Sequence, residues 1–315
     1  MHTVFLLAAG FGTRLRPLTN HRPKPLLPLM GRPMLDYALE HLKQAGHTSF
    51  LVNAHHLWEQ VAEWATTHRV EIQVELPEVL GTGGGLKIAQ EKMAEKFLIW
   101  NGDIISDIDP KKLLDTCPDD GASMALCFKQ ELGKTTRIGF RQSGQISRIG
   151  SLVSTDTTQP PETPSGFHFS GIHALSRSTL DLVPEGFQCI IRTAYITLVK
   201  EQRVQSIQHS GVWIDTGTPP EYLKANLDAL HGKFPLSIDP WEDAQDGFED
   251  SWVHTSADVN GALKSSIVGA NVVVPKGTQL DSCVVWDGAQ IPDNNREYRH
   301  CIFHDGGVLQ VEMKE

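Results

Sequence analysis

Residues 3–28 read TVFLLAAGFGTRLRPLTNHRPKPLLP, and this stretch decides the fold. Thr3–Ala9 is a short apolar run of the kind that forms a buried strand. It opens into a glycine loop, Ala8–Thr13. Beyond the loop stand Arg14, Arg16, Arg22 and Lys24, several of them set among prolines. The first 35 residues hold five Lys or Arg and no Asp or Glu, in a chain whose net charge is −10. A tight loop of backbone N–H groups followed by fixed cations suits a polyphosphate.

The rest of the composition narrows the class. At 315 residues the chain can hold one large α/β core and a smaller unit. It is 40% hydrophobic and 21% charged, with no run near twenty apolar residues, so no membrane span is expected. Val4–Ala9 is too short for the apolar region of a signal peptide. The five cysteines are scattered and form no CxxC pair, which fits neither a zinc site nor a disulfide framework and suits a reducing cytoplasm. A pI near 5.8 argues against a nucleic-acid partner. None of the fourteen histidines sits in HExxH spacing.

Working outward, apolar runs alternate with amphipathic segments. Met34–Gln44 and Leu57–Thr67 read as helices, Ser49–Asn53 and Glu71–Glu75 as strands, Gly85–Ala94 as a helix, and Phe97–Trp100 as a strand ending in Asn101, Gly102 and Asp103. This alternation predicts an α/β, Rossmann-like, mixed and mainly parallel sheet with helices on both faces. Ligands in such folds lie beyond the carboxyl ends of the strands. The glycine loop, the Gly81–Gly85 cluster and Asp103 all fall on that edge. Ser123–Lys129 and Phe167–Ala174 read as further strands, separated by a proline-rich loop, Thr155–Gly166. Ile190–Gln202 reads as a helix, and Val212–Asp215 as a short strand ending in an aspartate. Thr218, Pro219 and Glu221 then form a helix start. Residues 233–260 read as an acidic linker. Beyond it, Ile267 and Val273, then Val285 and Ile291, repeat every six residues, which predicts a β-helix of about three coils over 261–315. A two- or three-strand appendage is the plainer reading of the same residues.

The glycine loop has rivals. Gly10-x-Gly12-x-x-Leu15 lacks the third glycine of a dinucleotide fingerprint, and the second strand ends in Asn53 rather than an acid. The Walker sequence is absent. A purely structural turn accounts for Gly10 and Gly12 but not for the acid-free cationic stretch behind them.

LAAGFGTRLRPLT (7–19) followed by PKP (23–25) resembles the signature of the sugar-1-phosphate nucleotidyltransferases. Further blocks agree in order: GTGGGL (81–86), NGD (101–103), FSGI (169–172) and WIDTGTP (213–219). The resemblance runs from about residue 2 to 230, so 1–232 would be the catalytic domain. The tail resembles the short left-handed β-helix of some members.

The resemblance implies a reaction: a nucleoside triphosphate and a sugar 1-phosphate give a nucleotide sugar and pyrophosphate. The nucleophile is already an oxyanion, so no general base is needed and the barrier is electrostatic and positional. Arg14 would hold the triphosphate with its planar fork. Lys24 would meet the α-phosphate, Asp103 and Asp215 would bind Mg²⁺, and Arg14, Lys24 and Asp103 are the catalytic set. The nucleotide site would comprise Ala8, Ala9, Gly10, Gly12, Thr13, Arg14, Lys24, Gly81, Thr82 and Gly83. Glu75 or Glu78 could accept from guanine or from uracil. Gly102, Ser170 and Gly171 would face the sugar. A Glu-Lys-Pro block that many relatives use for the sugar phosphate is missing, and Lys134 or Arg137 are its candidate substitutes. GTGGG and FSGI look most like N-acetylmuramate-1-phosphate uridylyltransferases. The tail looks more like mannose-1-phosphate guanylyltransferases, so GTP and UTP both stand. The tail would also serve self-association. The competing reading is an inactive regulatory subunit of the same fold. Such a subunit would be expected to lose Arg14, Lys24 or an aspartate, and all are present.

Overall fold

The computed structural model describes residues 1–128, 137–155, 166–293 and 295–313. Lys129, Lys134 and most of the proline-rich loop (156–165) lie outside the described residues. The chain forms two compact units. One comprises Met1–Gly10, His41–Gly102 and Ser106–Trp213, and the other Phe11–Glu40, Asp103–Ile105 and Ile214–Glu315.

The first unit is built on seven strands: β1 (His2–Leu7), β2 (Phe50–Ala54), β3 (Glu71–Val74), β4 (Met93–Asn101), β5 (Ala122–Phe128), β6 (Phe167–Ser176) and β7 (Val204–His209). Their order is β7-β5-β6-β4-β1-β2-β3. β1 runs parallel to β2 and β4, β2 to β3, and β5 to β7, while β6 is antiparallel to both its neighbours. The sheet is therefore mixed and mainly parallel, as the alternation predicts. Val4, Phe5 and Leu6 are all fully buried, as are Phe97 to Trp100. Consecutive residues point to opposite faces, so both faces of the sheet are covered.

Two elements depart from expectation. The third helix spans Gly81–Ala89 rather than Gly85–Ala94, and β4 begins at Met93. Glycine has poor helix propensity, and here tertiary contacts override it. In place of one helix over 190–202 there is a π-helical turn, Ile191–Tyr195, and a short α-helix, Ile196–Lys200.

The second unit joins the cationic segment to the C-terminal coils. A helix, Pro219–Leu230, starts as expected, with Pro219 in its first turn. The Thr218 hydroxyl donates to Glu221 Oε2 at 2.9 Å instead of capping the backbone. The coils form a parallel β-helix with three faces. Trp252–Val253, Ile267–Val268, Val284–Val285 and Cys301–His304 stack on one face, with Trp252 opposite Ile267, Ile267 opposite Val284 and Val284 opposite Ile302. Ala262–Lys264, Gln279–Asp281 and Glu297–Arg299 stack on a second, and Asp258–Val259 with Val273–Val274 on the third. Gly307–Gln310 folds back antiparallel and closes the last coil. The first rung, at Trp252, lies inside the stretch that composition marks as a break. Val273 is 55% exposed, whereas Val272 and Val274 are buried. The inward positions of that turn thus flank the one the six-residue rhythm selects.

One apolar core runs through this unit. It includes Leu15, Leu18, Leu27, Leu29 and Met30 of the N-terminal segment, Tyr222 and Leu223 of the helix, and Trp252, Ile267, Val284 and Trp286 of the coils.

Candidate active site

In the second unit the chemistry converges on Lys24. Lys24 opens a one-turn 3₁₀ helix, Lys24–Leu26, between two prolines, and the residue is only 8% exposed. Its ammonium donates to Asp103 Oδ2 and, at 3.2 Å, to Asp215 Oδ1. Burial alone would lower the lysine pKa, but the two carboxylates outweigh it and raise the pKa above its ordinary value. Lys24 is therefore a fixed cation. Asp103 and Asp215 come from positions 112 residues apart in sequence, and they present oxygens to one point.

The glycine loop of this unit is packed against the same lysine. Gly12 has φ +60°, in the left-handed region. A Cβ on it would lie 2.8 Å from Thr19 Cγ2 and 3.2 Å from Lys24 Cβ. The Gly12 carbonyl accepts from the Thr19 hydroxyl at 2.9 Å. Thr13, Arg14 and Leu15 form the next 3₁₀ turn, with Leu15 buried as its anchor. Arg14 is exposed and lies over Gly217, where a Cβ would stand 2.9 Å from Nη1. Lys24, Asp103 and Asp215 are thus brought together, and Arg14 lies on the segment that follows Asp215. Arg22 is engaged elsewhere, in an ion pair with Asp305 at 3.1 Å.

In the first unit a polar chain ties together the segments that sequence assigns to the base. The Ala8 N–H donates to Asn53 Oδ1 at 2.8 Å. Asn53 Nδ2 donates to Glu75 Oε1 at 2.7 Å, and the Leu80 N–H donates to Glu75 Oε2 at 2.7 Å. Asn53 and Glu75 are each 2% exposed. Glu75 is thus committed to holding the entrance of the Gly81 helix, while Glu78 is exposed. Nothing in sequence marks Asn53 beyond its place at a strand end, where an acid would signal a dinucleotide fold.

The glycines of this helix each answer to a neighbour. Gly81 has φ +69°, and its Cβ would lie 2.6 Å from the Gln188 carbonyl. At Gly84 it would lie 2.1 Å from the Gly186 carbonyl, and at Gly85 2.5 Å from Glu75 Oε1. The Gly83 N–H donates to the Gln188 carbonyl at 2.8 Å, and Thr82 Oγ1 accepts from the Ile190 N–H at 3.2 Å. At Gly10, by contrast, a Cβ would meet nothing within 4 Å among the described residues. Ala8 and Ala9 are buried.

The residues assigned to the sugar lie on two strands of this unit, Gly102 just past the end of β4 and Ser170 and Gly171 within β6. The Gly102 N–H donates to the Leu7 carbonyl at 3.0 Å, which extends the β1–β4 ladder. Ser170 and Gly171 (φ +83°) fall in the register shift between β6 and β5, a bulge that re-aims the strand. The Trp213 indole N–H donates to the Ser170 carbonyl at 2.9 Å. Arg137 is exposed and forms an isolated bridge with His168.

The sequence model of the nucleotidyl transferase family matches residues 3–232. The mannose-1-phosphate guanylyltransferase of Mycobacterium tuberculosis is 27% identical over 299 residues, covering 91% of this chain and 80% of its own. A putative mannose-1-phosphate guanyltransferase of Sulfolobus acidocaldarius is 28% identical over 247 residues, 75% of this chain and 65% of its own. HddC from Yersinia pseudotuberculosis, solved with GMP-PN, superposes with a TM-score of 0.58 at 22% identity, over 72% of this chain and 98% of its own; this likeness concerns the fold. The chain belongs to the nucleotidyl transferase family, among the enzymes that act on sugar 1-phosphates. Among the described residues no helix is long and apolar enough to cross a membrane.

Proposed function

We propose that this enzyme transfers a guanylyl group from GTP to mannose 1-phosphate in the cytoplasm and releases pyrophosphate, using Mg²⁺. The observation that carries the reading is the ammonium of Lys24 held by Asp103 and Asp215 in the segment that bears the family signature. GTP and mannose 1-phosphate are favoured by relatives of that name, one of which matches 91% of the chain. The second reading, UTP with N-acetylmuramate 1-phosphate, rests on GTGGG and FSGI.

The donor set fits magnesium. Two carboxylates from separate segments already converge on one cation, and carboxylate oxygen is the ligand this hard ion prefers. Among the described residues no group of three or more His, Cys, Asp or Glu gathers, so phosphate oxygens and water would complete the shell. Bound there, Mg²⁺ would offset charge on the triphosphate.

The protein's own groups do the rest. A phosphate oxygen of the sugar 1-phosphate attacks the α-phosphorus. The bond from α-phosphorus to the bridging oxygen breaks, and pyrophosphate leaves. Lys24 offsets charge where the two anions meet. Arg14 binds the departing phosphates with paired N–H groups. Gly10, Gly12 and Thr13 offer backbone N–H groups to the phosphates. Ala8, Ala9, Gly81, Thr82 and Gly83 form the base side, and Gly102, Ser170 and Gly171 the sugar side. Residues 1–232 act as the catalytic domain, and the coils, whose first rung is Trp252–Val253, as the tail. The tail would also mediate self-association, for which Val273 and Val308, 55% and 47% exposed on separate strands of the coils, are the apolar candidates; sedimentation of Val273→Glu and Val308→Glu checks it.

The test is pyrophosphate release for each common nucleoside triphosphate against a panel of sugar 1-phosphates, with and without Mg²⁺. GTP with mannose 1-phosphate should give the highest kcat/KM. A preference for UTP with N-acetylmuramate 1-phosphate would select the second reading, and no release with any pair would refute both.

A further inference from the structure

Residues 21–31 carry Lys24, and their two ends are held by the C-terminal coils. Arg22 lies with Cζ 4.7 Å from the Trp286 ring centroid, a cation over an indole face. Its Nη2 donates to Asp305 Oδ1 at 3.1 Å. At the other end, Tyr222 donates its hydroxyl to the Pro28 carbonyl and accepts from the Trp286 indole N–H at 3.0 Å. One buried tryptophan, 1% exposed, thus grips both ends of the segment. Burial pushes the Tyr222 hydroxyl pKa well up, so it remains a donor to Pro28. Trp286 is itself fixed in its rung, its backbone N–H donating to the Phe303 carbonyl at 3.0 Å.

Two close approaches reinforce the grip. A Cβ on Gly306 would lie 2.9 Å from His21 Nε2, and one on Gly31 would lie 2.4 Å from Trp252 Cη2. Coil glycine meets N-terminal histidine, and N-terminal glycine meets coil tryptophan. Between these anchors Pro23 and Pro25 restrict φ on both sides of Lys24, so a shift at either anchor is carried to the lysine.

We propose that the C-terminal coils are a working part of the catalytic site: Trp286 and Asp305 hold Arg22, and through it set the position of Lys24. Arg22, Trp286 and Asp305 are positioning residues and make no contact with substrate. Arg22 is then no part of the phosphate-binding cation set, although it stands in the same basic stretch. The inference rests on the reading of Lys24 as the α-phosphate cation. Small displacements of such a group are costly, with a misplacement of about 1 Å able to lower the rate about 100-fold.

The experiment uses the full chain and measures kcat and KM for both substrates, with thermal melts alongside. Arg22→Met and Asp305→Ala should lower kcat about ten-fold or more while KM changes much less, because the lysine is present but displaced. Arg22→Lys keeps a cation for Asp305 and Trp286 and should recover most of the rate. Trp286→Phe keeps the packing but loses the N–H to Tyr222, and should lie between. Lys264→Met breaks the Lys264–Asp281 pair (3.0 Å) elsewhere in the coils and should leave kcat unchanged. Wild-type kcat in Arg22→Met and Asp305→Ala, with Lys24→Met inactive, would overturn the proposal alone. Wild-type kcat in Lys24→Met would overturn the functional reading and the proposal with it.

Discussion

Glu75→Gln replaces a carboxylate oxygen by an NH₂ where two donors need acceptors. Asn53 could satisfy the new amide only by flipping, and that would turn its own NH₂ toward the Ala8 N–H. One buried polar group is left unpaired either way, which costs about 1–3 kcal/mol. Urea unfolding should register that loss, and KM for the triphosphate should rise as the Gly81 helix loosens. Unchanged stability would show that water or a rearrangement replaces the network. That Lys24, Asp103 and Asp215 meet was foreshadowed by the family blocks that hold them, since Asp103 alone would pass for a turn aspartate. Asn53 was not, since a buried amide at a strand end looks the same whether or not it carries a network. Arg22 looked like Arg14 and Lys24, and only its contacts with Trp286 and Asp305 separate it from them.

At the scale of elements, two glycines make opposite predictions. Gly84→Ala drives a methyl group to within 2.1 Å of the Gly186 carbonyl. The helix must shift, at a cost of about 1–3 kcal/mol in urea unfolding. Gly10→Ala meets nothing, has no left-handed φ to forfeit, and should unfold at the wild-type denaturant concentration. Its methyl would stand where phosphates approach the backbone, so KM for the triphosphate should rise several-fold, about 1 kcal/mol. Normal KM in Gly10→Ala would mean that the loop does not cradle phosphate. The strand and helix alternation of the main sheet was legible because short apolar runs such as Val4–Leu6 and Phe97–Trp100 are buried on both faces and alternate with amphipathic segments. The Gly81 start was hidden because three glycines lower local helix propensity, and the packing that repays this is distant in sequence. The first coil at Trp252 was hidden because two-residue strands have too little length for a period to show.

For the whole molecule, acid sensitivity should come from buried histidine. Burial pushes the His173 pKa down from 6.5 to about 3, and the ring bonds to the Tyr195 hydroxyl at 2.7 Å. Burial lowers His47 and His304 in the same direction. Folded protein therefore binds fewer protons than unfolded chain below pH 6.5. The stability this gives is fully present above that pH and is lost as pH falls toward about 3. Each such group contributes at most about 1.4 kcal/mol per pH unit in that window. Tm measured between neutral and mildly acid pH should fall, and His173→Phe should flatten the slope even if its starting Tm is lower. An identical slope would remove His173 from the account. If the ammonium and dicarboxylate centre carries out sugar-1-phosphate nucleotidyl transfer, as proposed, Asp103→Asn should lose it; pyrophosphate release is measured at saturating GTP, mannose 1-phosphate and Mg²⁺, beside the melting curve. A fall in kcat of about 100-fold or more is expected, with a Tm within a few degrees of wild type. A rate close to wild type under those conditions would contradict it.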